Sequence, residues 1–464
     1  MKNTKVKASI TEGPIFLRLM LFTLPIILTG LLQVIYNISD NIVVGRFSGD
    51  ELALAAVGST GTLTTFIVTF LTGLSTGSGV NIAQAFGSGD KEKTSRAIHT
   101  GIGLSLVSGF AFAAIALILS EPALVLIKTK PVLMSRALLY FRIICLGVPA
   151  TTFYNFGNAA LRSVGDSKTP LFVLSISGLL NVILNLFFVI VCGMAVEGVA
   201  LATIISQYCS AVAVFVVLCK TKDPAYRLNP RKIRIEIPIL KRILRIGLPT
   251  AFQSSLFSIS NIILSSAVNT LPTVAVSART IAFNIDGLLY TAMDGFHHAA
   301  LTFVGQNYGA RKPERIKKSM LYALCQVTAV GLTVGVILLS LCPQLVSLYL
   351  DPADPNREAV AAEAVALSSF ILSCYFMCGI MNTLNGSLRG LGNSLTPMVI
   401  GIVSGCVIRI VWVYTCFPLP LFNSLKGLYY CYPISWAFAI AALFITLLFT
   451  WRRVKRKLAS GEDI

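Results

Sequence analysis

Charge is what this sequence has least of. Aspartate, glutamate, lysine and arginine make up only 12% of its 464 residues, against about 25% in an ordinary soluble protein. That shortage excludes a water-soluble globule. Acids are scarcer than bases, 20 against 38, giving a formal net charge of +18. Nucleic acid is nevertheless not an expected partner. The basic residues sit in short loops between apolar runs, where they fix orientation in a membrane. There is no Walker A motif, hence no sign of ATP-driven pumping. The eleven cysteines follow neither zinc nor disulfide spacing. Most, such as Cys192, Cys209, Cys325 and Cys406, lie inside apolar runs and read as small hydrophobes. No nucleophile–base or metal-ligand pattern appears, so neither an enzyme nor a cofactor is expected. His297 and His298 are adjacent, about 100° apart around a helix, a poor metal pair. The basic N-terminus runs into an apolar stretch longer than the roughly 7–15 residues of a signal-peptide core. Ile15 therefore opens a first membrane span.

What the chain has in abundance is apolar sequence: 55% hydrophobic residues and a mean hydropathy of +0.78. About 20 such residues cross a bilayer as a helix. Twelve spans are expected, near 15–44, 52–80, 98–119, 137–160, 170–192, 198–219, 246–269, 274–304, 319–342, 361–386, 396–417 and 428–450. The expected class is an all-α polytopic protein of the cytoplasmic (inner) membrane. With the N-terminus in the cytoplasm, 29 lysines and arginines fall inside and seven outside. That asymmetry places both termini in the cytoplasm.

The chain also repeats itself. LRSVGDSKTP (161–170) returns as LRGLGNSLTP (388–397), with six of ten positions identical. AQAFGSGDKEKTSRAI (83–98) aligns with GQNYGARKPERIKKSM (305–320), and LPIILTGLLQVIYN (24–37) with LPTAFQSSLFSISN (248–261). Six spans per repeat give both halves the same membrane orientation, related by a pseudo-two-fold axis along the membrane normal. The expected division is an N-terminal lobe at 1–219, a cytoplasmic linker at 220–245, and a C-terminal lobe with a basic tail at 246–464.

An acid inside a span is costly, and it usually faces the protein interior or a wet cavity. Asp40 lies about 9 Å from the Arg46 end of its span by helix rise. Asn181 and Asn185, four apart on one helix face, and Thr203 reach similar depth. An acid, two amides and a hydroxyl can therefore converge, and their oxygens suit sodium while the acid suits a proton. Gln33, Tyr36 and Asn37 precede Asp40 and are candidates to line the same place. In the second half, Asp286 and Arg409 both fall near mid-membrane, so a pair is expected. With Asp294 they form either a structural pair or a cavity charge and second proton site. Tyr290, Phe283, Met293 and Met381 are candidates for an adaptable pocket, with core or lipid packing as the alternative. Gly73, Gly77 and Gly79 suggest close helix packing.

The segments TEGPIFLRLMLFTLPIIL, YNISDNIVVGRF, LAAVGS, FGSGDKEK, YGARKPER and the two LRxxGxSxTP stretches resemble the multidrug and toxic compound extrusion (MATE) family. The resemblance covers nearly the whole chain. It implies two six-helix lobes around a cavity of alternating access. It also implies export of small organic, often cationic compounds in exchange for protons or sodium, by a monomer in the lipid bilayer. It further implies that Asp40, Asn181, Asn185 and Thr203 form the cation site. Many relatives have aspartate where this chain has Asn185, which leaves one carboxylate here. The alternative within the superfamily is a lipid-linked saccharide flippase, which needs more intramembrane cations than Arg142 and Arg409.

Overall fold

The computed structural model describes residues 10–50, 52–350 and 355–460, and among these there is no β-strand. Twelve long helices follow one another: α1 (Ile15–Phe47), α2 (Ala53–Gly87), α3 (Lys91–Ile118), α4 (Pro131–Ser163), α5 (Lys168–Val191) and α6 (Val196–Lys220), then α7 (Ile237–Val268), α8 (Thr273–Gly309), α9 (Pro313–Ser347), α10 (Arg357–Gly390), α11 (Leu395–Thr415) and α12 (Leu425–Ser460). Eleven are long and apolar enough to cross a membrane. The twelfth, α8, carries Arg279, Asp286, Asp294, His297 and His298 along its 37 residues, and this polarity lowers its hydropathy. A short helix, Ser120–Leu126, lies between α3 and α4, where the sequence suggested an interfacial turn.

The chain forms two compact units: residues 28–254, and residues 1–27 together with 255–464. The boundaries fall within α1 and α7, not in the 220–245 connection expected from the sequence. The cause is backbone contact at small residues. A Cβ on Gly73 of α2 would collide with the backbone of Ala251, and one on Gly77 with Ile243 and Gly247. The first half of α7 is thereby bound to α2. The repeat supplies the counterpart, where a Cβ on Gly295 of α8 would meet Ile27 and Thr23 of α1.

The LRxxG repeat is a helix stop. Gly165 and Gly392 take left-handed φ values of 89° and 84°, which glycine adopts at no steric cost. The amide of Asp166 donates to Leu161 O at 2.9 Å and that of Gly165 to Arg162 O at 2.9 Å. In the second unit Asn393 donates to Leu388 O at 3.0 Å and Gly392 to Arg389 O at 2.8 Å. This paired pattern satisfies the last carbonyls of a helix. The side chains of Asp166 and Asn393 then accept from Thr169 N and Thr396 N, at 3.1 and 3.4 Å, starting the next helix.

The connection after α6 is ordered against the first unit. Leu228 N donates to Leu218 O at 2.9 Å, and Asn229 N to Nε2 of buried His99 at 3.0 Å. Ile233 and Ile235 pack over Gly103. Arg96 forks onto Glu236, with Nε donating to both carboxylate oxygens at 3.0 and 2.8 Å, and Arg234 adds a further bond. The Arg96 bonds hold the Glu236 carboxyl below its ordinary pKa. A depressed acid contributes stability above its unfolded pKa and loses it as pH falls through the folded value. Amide protection over residues 229–236, taken as exchange relative to the intrinsic rate at each pH, should therefore be high at neutral pH and fall on acidification below about pH 4.5. In Glu236→Gln it should be low at both. Protection that ignores pH in the wild type would count against this clasp.

Candidate functional site

The first unit brings most of the expected polar set together. Asn185 is completely buried on α5, and Asn181 one turn earlier is 6% exposed. Asn185 Nδ2 donates to Asp40 Oδ1 of α1 at 2.5 Å and to Asn181 Oδ1 at 3.3 Å. One amide nitrogen thus uses both hydrogens, one on each acceptor. The Asn185 Oδ1 atom is buried without a hydrogen-bond partner. Just beyond Asn185, residues Phe187–Val191 are π-helical, an irregularity common at functional sites.

The other expected members divide. Tyr36 lies one turn before Asp40 on the same face of α1 and donates to Ser175 O of α5 at 3.2 Å. Its ring lies against Gly178, the only kind of residue that leaves room for it. Thr203 makes no hydrogen bond to the amide cluster, and its hydroxyl donates to Val199 O of its own helix at 2.9 Å. The backbone acceptor one turn back is always present on a helix and satisfies the hydroxyl. Gln33 and Asn37 lie on the exposed face of α1. Tyr140 of α4, which the sequence did not single out, lies within electrostatic reach of Asp40. No motif marks it, since the fourth span reaches this depth only through packing. At the non-membrane end of α1, Asp50 is bound by Arg136, which holds its carboxyl below the usual range.

In the second unit the expected Asp286–Arg409 pair is not formed. Arg409 Cζ lies 4.1 Å from the ring centroid of Tyr432, and its Nε donates to Ser435 Oγ at 3.3 Å. Asp286 is 7% exposed, and its Oδ1 is buried with no hydrogen-bond partner. Equal depth did not fix azimuth. The π-helical stretch Val403–Val407 ends two residues before Arg409 and turns the helix out of α-helical register. Asp294 instead approaches His298 Nε2 at 3.6 Å. His297 Nδ1 bonds Asn382 O at 2.9 Å, and its Nε2 faces Arg389 Nη1 at 3.4 Å. A backbone carbonyl on one side and a guanidinium on the other thus flank the imidazole. Arg389, three residues past the end of the expected tenth span, is 6% exposed. It was overlooked because the helix-stop motif extends α10 one turn past the apolar run. Met293 is fully buried against Gly379, Met381 is also buried, and Phe283 and Tyr290 are exposed. Among the described residues no group of histidine, cysteine and acid side chains is placed to hold a metal ion.

Twelve membrane-length helices in two repeated bundles, with a carboxylate bonded by a buried amide inside one of them, define a multi-pass α-helical membrane protein. The chain belongs to the MatE family, whose model matches residues 25–187 and again residues 249–415, once on each repeat. It is 26% identical over 446 residues to the probable multidrug resistance protein YoeA of Bacillus subtilis, covering 93% of each chain. It is 21% identical over 444 residues to the FAD transporter of Shewanella oneidensis, covering 93% of this chain and 94% of the other. Among solved structures, a MOP superfamily transporter from Pyrococcus furiosus superposes with a TM-score of 0.88 at 23% identity. That match covers 99% of this chain and all of the other. An outward-facing multidrug resistance MATE transporter gives 0.86 at 22% identity with the same coverage. At these identities the structures establish the twelve-helix, two-lobe fold.

Proposed function

We propose that the chain is a secondary antiporter that exports small organic, often cationic compounds by alternating access. Its site lies in the cytoplasmic membrane, and both termini face the cytoplasm. The observation that carries the reading is the Asp40 carboxylate, held at 2.5 Å by a buried amide, inside a span where an unused charge would be expensive. The coupling ion is a proton. Asn185 turns its amide nitrogen, a donor, toward Asp40, and Thr203 is bonded to its own helix. A sodium ion needs oxygens on all sides, while a proton needs only the carboxyl. A gradient of about 150 mV supplies about 3.5 kcal/mol per charge, enough for accumulation of several hundred-fold. The relatives' names, multidrug resistance proteins and an FAD transporter, support a broad organic substrate range and do not favour a saccharide flippase.

The test is reconstitution into proteoliposomes with proton and sodium gradients imposed separately. The panel spans lipophilic cations and an anionic flavin nucleotide. Uphill movement of cationic dyes is expected under the proton gradient and not under the sodium gradient. The reverse dependence would replace the proton assignment, and movement without any gradient would refute coupling.

A further inference from the structure

We infer that Asp286 is a second proton-binding site, lodged in the unit that does not contain Asp40, with a single proton as its ligand. The structure separates it from the other charges of its unit. Asp294 lies beside His298, and Arg409 is stacked on Tyr432 and bonded to Ser435. Arg279, two turns earlier on α8, donates to the Tyr429 hydroxyl at 3.3 Å. Among the described residues, Asp286 is the acid whose carboxylate keeps a buried oxygen without a hydrogen-bond partner.

Its titratable neighbours are neutral groups, with Arg279 and Arg409 standing beyond them against Tyr429 and Tyr432. Cys342 of α9, Tyr375 of α10, and Tyr429 and Tyr432 of α12 lie within its electrostatic reach. None is a cation, and every one would itself ionise to an anion. A buried carboxylate that makes neither an ion pair nor a hydrogen bond costs far more than its neutral acid. The proton is therefore the ligand that makes this burial affordable. Sodium is the poorer fit, because a hard cation takes carboxylate, carbonyl and water oxygens, and the groups within reach of the Asp286 carboxyl are tyrosine hydroxyls and a thiol.

The site answers a difference between the two halves. The repeat that gives Asp40 in α1 gives Leu264 at the matching place in α7, and α7 carries no acid along its length. The acid of the second unit sits one helix later, on α8. With one titrating carboxyl in each unit, the chain carries two protons where Asp40 alone would carry one. This use in transport rests on the proton-coupled reading above, but occupancy of the site does not.

The protein contains a native reporter. Of its three tryptophans, buried Trp436 packs edge-on to Tyr375 at 5.4 Å and to Tyr432 at 5.7 Å. The test is fluorine NMR of the full-length protein carrying 5-fluorotryptophan, with the Trp436 signal assigned by Trp436→Phe. It is titrated in detergent between about pH 4 and pH 9, without substrate or gradient. The Trp436 shift should follow a single-proton curve that is lost in Asp286→Asn and kept in Asp40→Asn. Asp286→Glu should move the midpoint without abolishing the curve, which keeps the test open even where the asparagine variant fails to fold. A Trp436 signal that does not titrate overturns the proposal, as does one that titrates unchanged in either Asp286 variant. A midpoint that moves when sodium replaces potassium overturns the assignment to a proton. Because the measurement is at equilibrium and spares Asp40, its failure leaves the Asp40 reading standing, and failure of that reading leaves this one standing.

Discussion

Asp40→Asn is expected to fold, to bind substrate and to lose uphill export altogether. The amide has the size of the carboxyl, and its oxygen can take the hydrogen bond from Asn185 Nδ2 that Oδ1 takes now. What disappears is the ability to carry and release a charge. Differential binding of a cation on the two sides of the membrane is the only source of work in an ion-coupled carrier, since a ligand shifts a conformational equilibrium only by its differential affinity. Accumulation of several hundred-fold should fall to none, while substrate exchange between vesicles at equal concentrations continues. Stability by thermal unfolding should change by less than about 1 kcal/mol. Proteoliposomes assayed with and without an imposed proton gradient measure both effects. Wild-type uphill transport by the asparagine variant would reduce Asp40 to a polar anchor between α1 and α5.

Gly178→Ala is expected to damage the same site from behind. An added Cβ would fall inside the Tyr36 ring, and Tyr36 stands one turn from Asp40 on the same face of α1. The ring must leave or α1 must move away from α5, and either pulls on the Asp40–Asn185 bond. Overpacking of this kind costs about 1–3 kcal/mol, and transport should fall by about tenfold or more, as small misplacements of reacting groups do. Gly405→Ala provides the comparison. It drives a Cβ into Phe257 in the second unit, at the matching place of the repeat, so it should lose similar stability without the extra loss of coupling. Adding Tyr36→Ala to Gly178→Ala should restore stability in part. Equal transport loss in the two glycine variants would mean that Gly178 matters for packing alone.

The helical class, the twelve spans and the duplication were legible because lipid imposes long apolar runs and the helix-stop motif recurs whole. Gly165 and Gly392 were recognisable as a repeated pair, although only the backbone shows the reason, a left-handed φ at each. The Asp40–Asn181–Asn185 cluster was legible because helix rise predicts depth well. Thr203 and the Asp286–Arg409 pair show where depth stops being enough. Thr203 had a nearer acceptor on its own helix, and Arg409 followed a π-helical stretch that sequence periodicity does not reveal. Packing also decided the fates of Arg389 and Met293. One is a charge that the extended α10 buries, and the other a pocket candidate that fills the space above Gly379. The division into units depended on α1 and α7 docking at Gly295 and Gly73, contacts that look in sequence like any glycine in a helix.

The central claim is that Asp40 trades a cation for substrate. It is tested most directly by proton release from purified protein in weakly buffered solution when a saturating cationic substrate is added near pH 7. The wild type should release protons, and Asp40→Asn should bind the same substrate with fewer released, by up to one per molecule. Equal release from the two proteins would contradict the account.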